Sequence, residues 1–93
     1  MKHWNITVSG IVQGVYFRAT TKAVADQLGI KGFALNQSDG SVYIEAEGDH
    51  FALDSLLEFC QEGPDRAEVK EVHYTESPDI KGFKNFEIIK RIK

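Results

Sequence analysis

Asp39-Gly40, set between two alternating runs, is the feature that most narrows what this chain can fold into. Both residues tolerate the positive φ that a tight hairpin turn demands. Gly32-Phe33-Ala34-Leu35-Asn36 leads in as a short strand. Ser41 to Glu47 leads out, with Val42, Ile44 and Ala46 alternating against Tyr43, Glu45 and Glu47. A helical segment flanks this central hairpin on each side. Ala19 to Leu28 contains good helix formers, with Phe17, Val24 and Leu28 at helical spacing and Gly29 as a stop. On the other side, Asp49 is placed to cap a helix whose Leu53, Leu56, Leu57 and Cys60 form one apolar stripe, closed by Gly63-Pro64. His3 to Val8 alternates as a first strand with Trp4, Ile6 and Val8 on one face. Glu68 to Thr75 carries Val69, Val72 and Tyr74 as a further strand. Ser77-Pro78-Asp79 then breaks the chain before a last strand around Phe86-Glu87-Ile88-Ile89.

The resulting order, β-α-β-β-α-β plus an extra terminal strand, predicts an α+β fold of the split-βαβ or ferredoxin-like kind. Its antiparallel sheet carries two helices on one face and a short extra C-terminal strand. In that topology the first two strands run parallel with the third between them. With 93 residues, the chain reads as a single domain over residues 1–93. Hydrophobic residues make up 42% and charged residues 27%, as in ordinary globular proteins. A net charge of −3 argues against broad binding to nucleic acid or to anionic membranes, which need a basic field. Neither a signal-like run nor a bilayer-length apolar stretch is present, so a cytoplasmic location is the default expectation, and a monomer is expected. Cys60 stands alone, which excludes an internal disulfide, and no Cys and His spacing suggests a metal site. Cys60 reads as a core residue, His3, His50 and His73 as surface or structural residues, and the basic end Lys90-Arg91-Ile92-Lys93 as merely exposed.

This fold order serves RNA binders, sensors and enzymes alike, so the site has to decide the function. Tyr43 is available as an exposed strand aromatic, but the RNP pattern and basic face of an RNA binder are missing. The chemistry-bearing segment is Gly10-Ile11-Val12-Gln13-Gly14-Val15-Tyr16-Phe17-Arg18, between the first strand and the first helix. A turn entering a helix can point successive N–H groups into one concavity, where the helix dipole adds positive potential. Arg18 at the helix start offers a planar fork suited to two phosphate oxygens. Taken alone, the loop reads either as such an anion cradle or as a plain turn with a surface arginine. It is neither a Walker loop nor a G-x-G-x-x-G turn.

Ser9 to Arg18 resembles the G-x-V-Q-G-V-x-F-R signature of the acylphosphatase family. Gly32-Phe33-Ala34-Leu35-Asn36, with Gly40-Ser41-Val42 and Gly48, resembles that family's second signature. The resemblance covers essentially the whole chain. One departure is Leu35, where the family commonly has a polar or basic residue; being out of phase with Asn36, it is expected to point away from the site. The resemblance implies metal-independent, cofactor-free hydrolysis of a small-molecule acyl phosphate to carboxylate and inorganic phosphate. It assigns phosphate binding to Gln13, Gly14, Val15, Tyr16, Phe17 and Arg18, and catalysis to Arg18 and Asn36, the latter holding the attacking water. The competing expectation is a non-catalytic phosphate-ligand sensor built on the same cradle.

Overall fold

Strand alternation sorts the first segment into two faces, and Trp4, Ile6 and Val8 are all buried beneath the helices. The computed structural model of the protein describes residues 1–89; the basic end Lys90-Arg91-Ile92-Lys93 lies outside the described residues. The elements are β1 (Lys2–Ile11), α1 (Phe17–Leu28), β2 (Lys31–Asn36), β3 (Val42–Gly48), α2 (His50–Glu62), β4 (Glu68–Ser77) and β5 (Phe86–Ile89). They build a five-stranded sheet in the order β4-β1-β3-β2-β5. β3 is antiparallel to both β1 and β2, so β1 and β2 run parallel with β3 between them. Among the described residues no helix is long and apolar enough to cross a membrane.

The one revision concerns the sheet edge. β5 pairs with β2 in parallel, from Gly32 opposite Phe86 to Leu35 opposite Ile89, so the sheet is mixed rather than wholly antiparallel. Residues 78–85 leave β4 at one edge and cross the helix-free face to reach the other. That route brings the chain in at the end where β2 starts.

The hairpin is a three-residue loop, Ser38-Asp39-Gly40. Gly40 N–H donates to Gln37 O at 3.1 Å, Gln37 N–H donates to Ser41 O at 2.8 Å, and Gly40 adopts φ 94. The Asp39 carboxylate accepts from the Ser41 hydroxyl at 2.6 Å and its N–H at 2.9 Å, which holds it below the usual carboxylate range. In α2, Asp49 caps the first turn by accepting from Ala52 N–H at 2.8 Å. Ala52, Leu53, Leu56 and Cys60 are buried against the sheet. Each of the two fully buried leucines contributes about 2 kcal/mol of transfer free energy. Burial pushes the Cys60 thiol up to about 12, so it packs as a small hydrophobe rather than a nucleophile. The buried stripe of α1 is Phe17, Thr21 and Ala25, with Val24 and Leu28 only partly buried beside it. Thr21 satisfies its hydroxyl by donating to Phe17 O at 2.7 Å.

The face opposite the helices is not a bare polar surface. His3 on β1 and Glu45 and Glu47 on β3 are buried there, because residues 78–85 lie across them. Of the three histidines placed at surface or structural positions, His3 is thus structural. Its Nδ1 lies 2.7 Å from Glu47 Oε2 and its Nε2 lies 3.0 Å from Glu45 Oε1. Glu47 also accepts from the N–H groups of Lys81, Gly82 and Phe83 at 2.5, 3.0 and 3.3 Å. Glu45 accepts from Tyr43 OH at 2.8 Å and Lys81 Nζ at 3.0 Å. Burial pushes the Glu47 carboxyl up, but His3 and the three backbone donors outweigh it and the net value lies below the usual range. Glu45 is lowered in the same sense: Lys81 and Tyr43 overcome its desolvation.

A carboxyl lowered in the folded state contributes stability above its unfolded pKa, near ~4.3, and that stability is lost as pH falls toward the folded value. The denaturation midpoint should therefore drop between pH 6 and pH 3, and Glu47→Gln should flatten that dependence. Urea titrations at the two pH values measure it, and an identical pH slope in both proteins contradicts the assignment.

Candidate active site

The loop after β1 is shaped by two glycines with different tasks. Gly10 has φ 123 at a bulge in the β1–β4 pairing, and a Cβ there would run into Glu68 O and the Lys70 nitrogen. Its role is close approach to β4, not the cradle. Gly14 has φ 74 with open space around it, and Tyr16 is the only described non-glycine residue with positive φ, at 61. Positive φ at Gly14 and Tyr16, with Val15 between them, is the kind of backbone from which anion-binding concavities are built. Tyr16 is the N-cap of α1 and supplies no side-chain cap. The bond from Thr20 N–H to Tyr16 O, at 3.0 Å, opens the helical ladder, which leaves the N–H groups of Phe17, Arg18 and Ala19 ahead of it. No acidic residue occupies that first turn, so the positive end of the helix dipole is uncompensated.

A cleft of about 330 Å³ opens at this helix end, lined by Val12, Gly14, Tyr16, Phe17, Arg18, Ala19, Asn36 and Ile88. Of the residues singled out in the sequence, Gly14, Tyr16, Phe17, Arg18 and Asn36 meet in it. Phe17 is buried in the core, so its contribution to the cleft is main chain. Arg18 is half-buried, and its Nη1 donates to Ile89 O at 3.3 Å, which fixes the guanidinium against β5 while leaving other donors. Asn36 arrives through the sheet: Val8 of β1 pairs with Val42 of β3, and Val42 pairs with Asn36 at the end of β2. Two strand spacings, about 10 Å, thus separate its strand from the one that feeds the loop. Among the described residues, the Oδ1 of Asn36 is buried without a hydrogen-bond partner. Leu35 does not line the cleft; strand alternation puts it on the opposite sheet face from Asn36, where it is buried.

Gln13 and Val15 are not among the lining residues. Val15 packs against the core. The Gln13 amide donates to Gln37 O at 2.8 Å and Ser41 O at 2.9 Å, clamping the loop to the β2–β3 hairpin that ends in Asn36. Gln13→Ala should cost about 1 kcal/mol of stability and weaken inhibition by inorganic phosphate several-fold as the loop loosens. Thermal melts and product-inhibition assays measure both, and an unchanged phosphate inhibition constant contradicts the clamp. Val12, Ala19 and Ile88 also line the cleft. Ile88 was hidden from sequence reasoning because it arrives on the strand whose partner that reasoning left open.

Known proteins resemble this chain in both sequence and fold. The family profile described as Acylphosphatase matches residues 4–88. A Marinobacter nauticus protein named Acylphosphatase is 46% identical over 86 residues, covering 92% of this chain and 94% of its own. One of the same name from Thermotoga petrophila is 47% identical over 88 residues, covering 95% and 97%. The crystal structure of acylphosphatase from Bacillus subtilis superposes with a TM-score of 0.93 at 37% identity, covering 96% of this chain and 99% of that one. Loop, cleft, sheet order and sequence likeness over nearly the full length lead to one conclusion: the chain belongs to the acylphosphatase family.

Proposed function

We propose that this chain hydrolyses acyl phosphates without a metal ion, with the phosphoryl group in the Gln13–Arg18 loop and the attacking water held by Asn36. The observation that carries this reading is the unpartnered Oδ1 of Asn36, a residue that lines the same cleft as Arg18 and the uncapped start of α1. A buried acceptor without a partner is costly, and a rotation of the Asn36 amide toward the cleft would let a bound water complete it.

The chemistry matches the groups available. Phosphoryl oxygens accept from loop and helix-start N–H groups and from the Arg18 fork, which gathers the charge that builds up in a loose transition state. Asn36 accepts a hydrogen bond from water and orients it toward phosphorus. As the new P–O bond forms, the bond to the acyl oxygen breaks and the carboxylate leaves with the electron pair. The water's proton passes to the phosphate or to solvent. A carboxylate whose conjugate acid has a pKa near ~4 to 5 departs without a general acid, so no titrating side chain is needed at the leaving group.

The test is turnover of benzoyl phosphate by purified protein in excess chelator, compared with phenyl phosphate. The reading expects benzoyl phosphate hydrolysis, with the ester at least ~10²-fold slower because phenoxide, of conjugate-acid pKa near ~10, has no acid to help it leave. Folded protein that binds phosphate and turns over neither compound supports a sensor instead.

A further inference from the structure

Outside the cleft, the described residues hold a dense polar cluster around Glu47, which none of the chemistry above uses. Glu47 is 1% exposed and takes hydrogen bonds from His3 and from three successive backbone N–H groups of residues 78–85. Burying two carboxylates and an imidazole is expensive relative to packing apolar side chains, and its characteristic return is a single defined geometry. The segment so gripped has no regular secondary structure, and most of it is exposed. Apart from this cluster, its described attachments are Asp79 N–H to Ser77 Oγ at 3.3 Å, Gly32 N–H to Asn85 O at 2.9 Å and the Phe83 ring against His3 and Phe33. It leads directly into β5, a four-residue edge strand that supplies Ile88 to the cleft and the Ile89 carbonyl to Arg18.

We propose that Glu47, supported by His3 and Glu45, is a positioning residue for Arg18, acting through the gripped segment and β5 from the opposite face of the sheet. The inference rests on the transition-state role given to Arg18 above. The linkage is continuous: Glu47 fixes the backbone of Lys81 to Phe83, that backbone fixes where Phe86 enters beside Gly32, and the register of β5 places Ile89 O under the guanidinium. Misplacing a charge-stabilising group by about 1 Å is enough to cost up to ~10²-fold in rate. The loop N–H groups do not depend on this linkage, so the effect falls on kcat and spares KM.

A double-mutant cycle on the full chain with benzoyl phosphate separates this from a general loss of stability. Glu47→Gln should lower kcat about 10-fold with KM changed less than ~3-fold, and in an Arg18→Ala background it should lower kcat less than ~2-fold. Gly82→Ala provides a second perturbation: its φ of 74 strains any side chain, while the added Cβ meets open space, so it loosens the segment without touching the sheet. It should show the same pattern at smaller amplitude, and it carries the comparison if Glu47→Gln fails to fold. Equal factors in the two backgrounds, or a folded Glu47→Gln with wild-type kcat, overturn the proposal. Full activity in Arg18→Ala alone instead removes the role of Arg18, and with it the residue through which Glu47 would act.

Discussion

Arg18→Ala should lower kcat by about 10²-fold or more, and kcat/KM should fall at least as far. Among the described residues lining the cleft, the guanidinium is the one formal positive charge, and it is held on β5 by the 3.3 Å bond to Ile89 O. Its reorganisation cost is therefore met on folding rather than during reaction. Arg18→Lys should recover only part of the loss, because an ammonium restores the charge without the planar fork and without the geometry that reaches both Ile89 O and two phosphoryl oxygens. Steady-state kinetics on both variants decide the point. A wild-type kcat in Arg18→Ala removes the electrostatic role assigned to it.

Asn36→Ala should lower kcat by a comparable factor, about 10²-fold, with KM within a few-fold of wild type, because in the proposed mechanism the water enters the chemical step and not substrate binding. The same substitution removes a buried acceptor that has no partner, so the unfolding midpoint should stay level or rise. Activity and stability moving in opposite directions is the signature of a residue kept for chemistry. Asn36→Asp retains an acceptor but brings a negative charge to an anion site, and it should be no more active than the alanine variant. A defect confined to KM, or a marked loss of stability, contradicts the assignment.

Much of this architecture is written locally. Asp39-Gly40 announces the hairpin, Asp49 the cap of α2 and Gly29 the end of α1. Once that order is read, split-βαβ topology places β3 between β1 and β2 and brings Asn36 to the loop's end of the sheet. What stayed hidden depends on contacts between segments far apart in the chain. The parallel partner of β5 follows from where residues 78–85 cross the sheet, which nothing in four residues of strand specifies. Ile88 as a cleft wall and Ile89 O as the support for Arg18 were out of reach for the same reason. Glu45 and Glu47 alternate with core residues on β3, and nothing local announces that a distant segment rich in turn formers buries them. Gln13 carries the family motif, but only the folded loop shows its side chain spent on Gln37 and Ser41. Gly10, likewise, is a glycine for the sake of β4, which lies far along the chain.

In the proposed reaction, water held by Asn36 attacks phosphorus with no metal ion involved. Hydrolysis of benzoyl phosphate in ¹⁸O-labelled water, with the protein in excess chelator, tests it most directly. Attack at phosphorus gives sustained turnover with the label in inorganic phosphate and none in benzoate. Label in the benzoate, or activity that disappears with the chelator and returns with added metal, would contradict it.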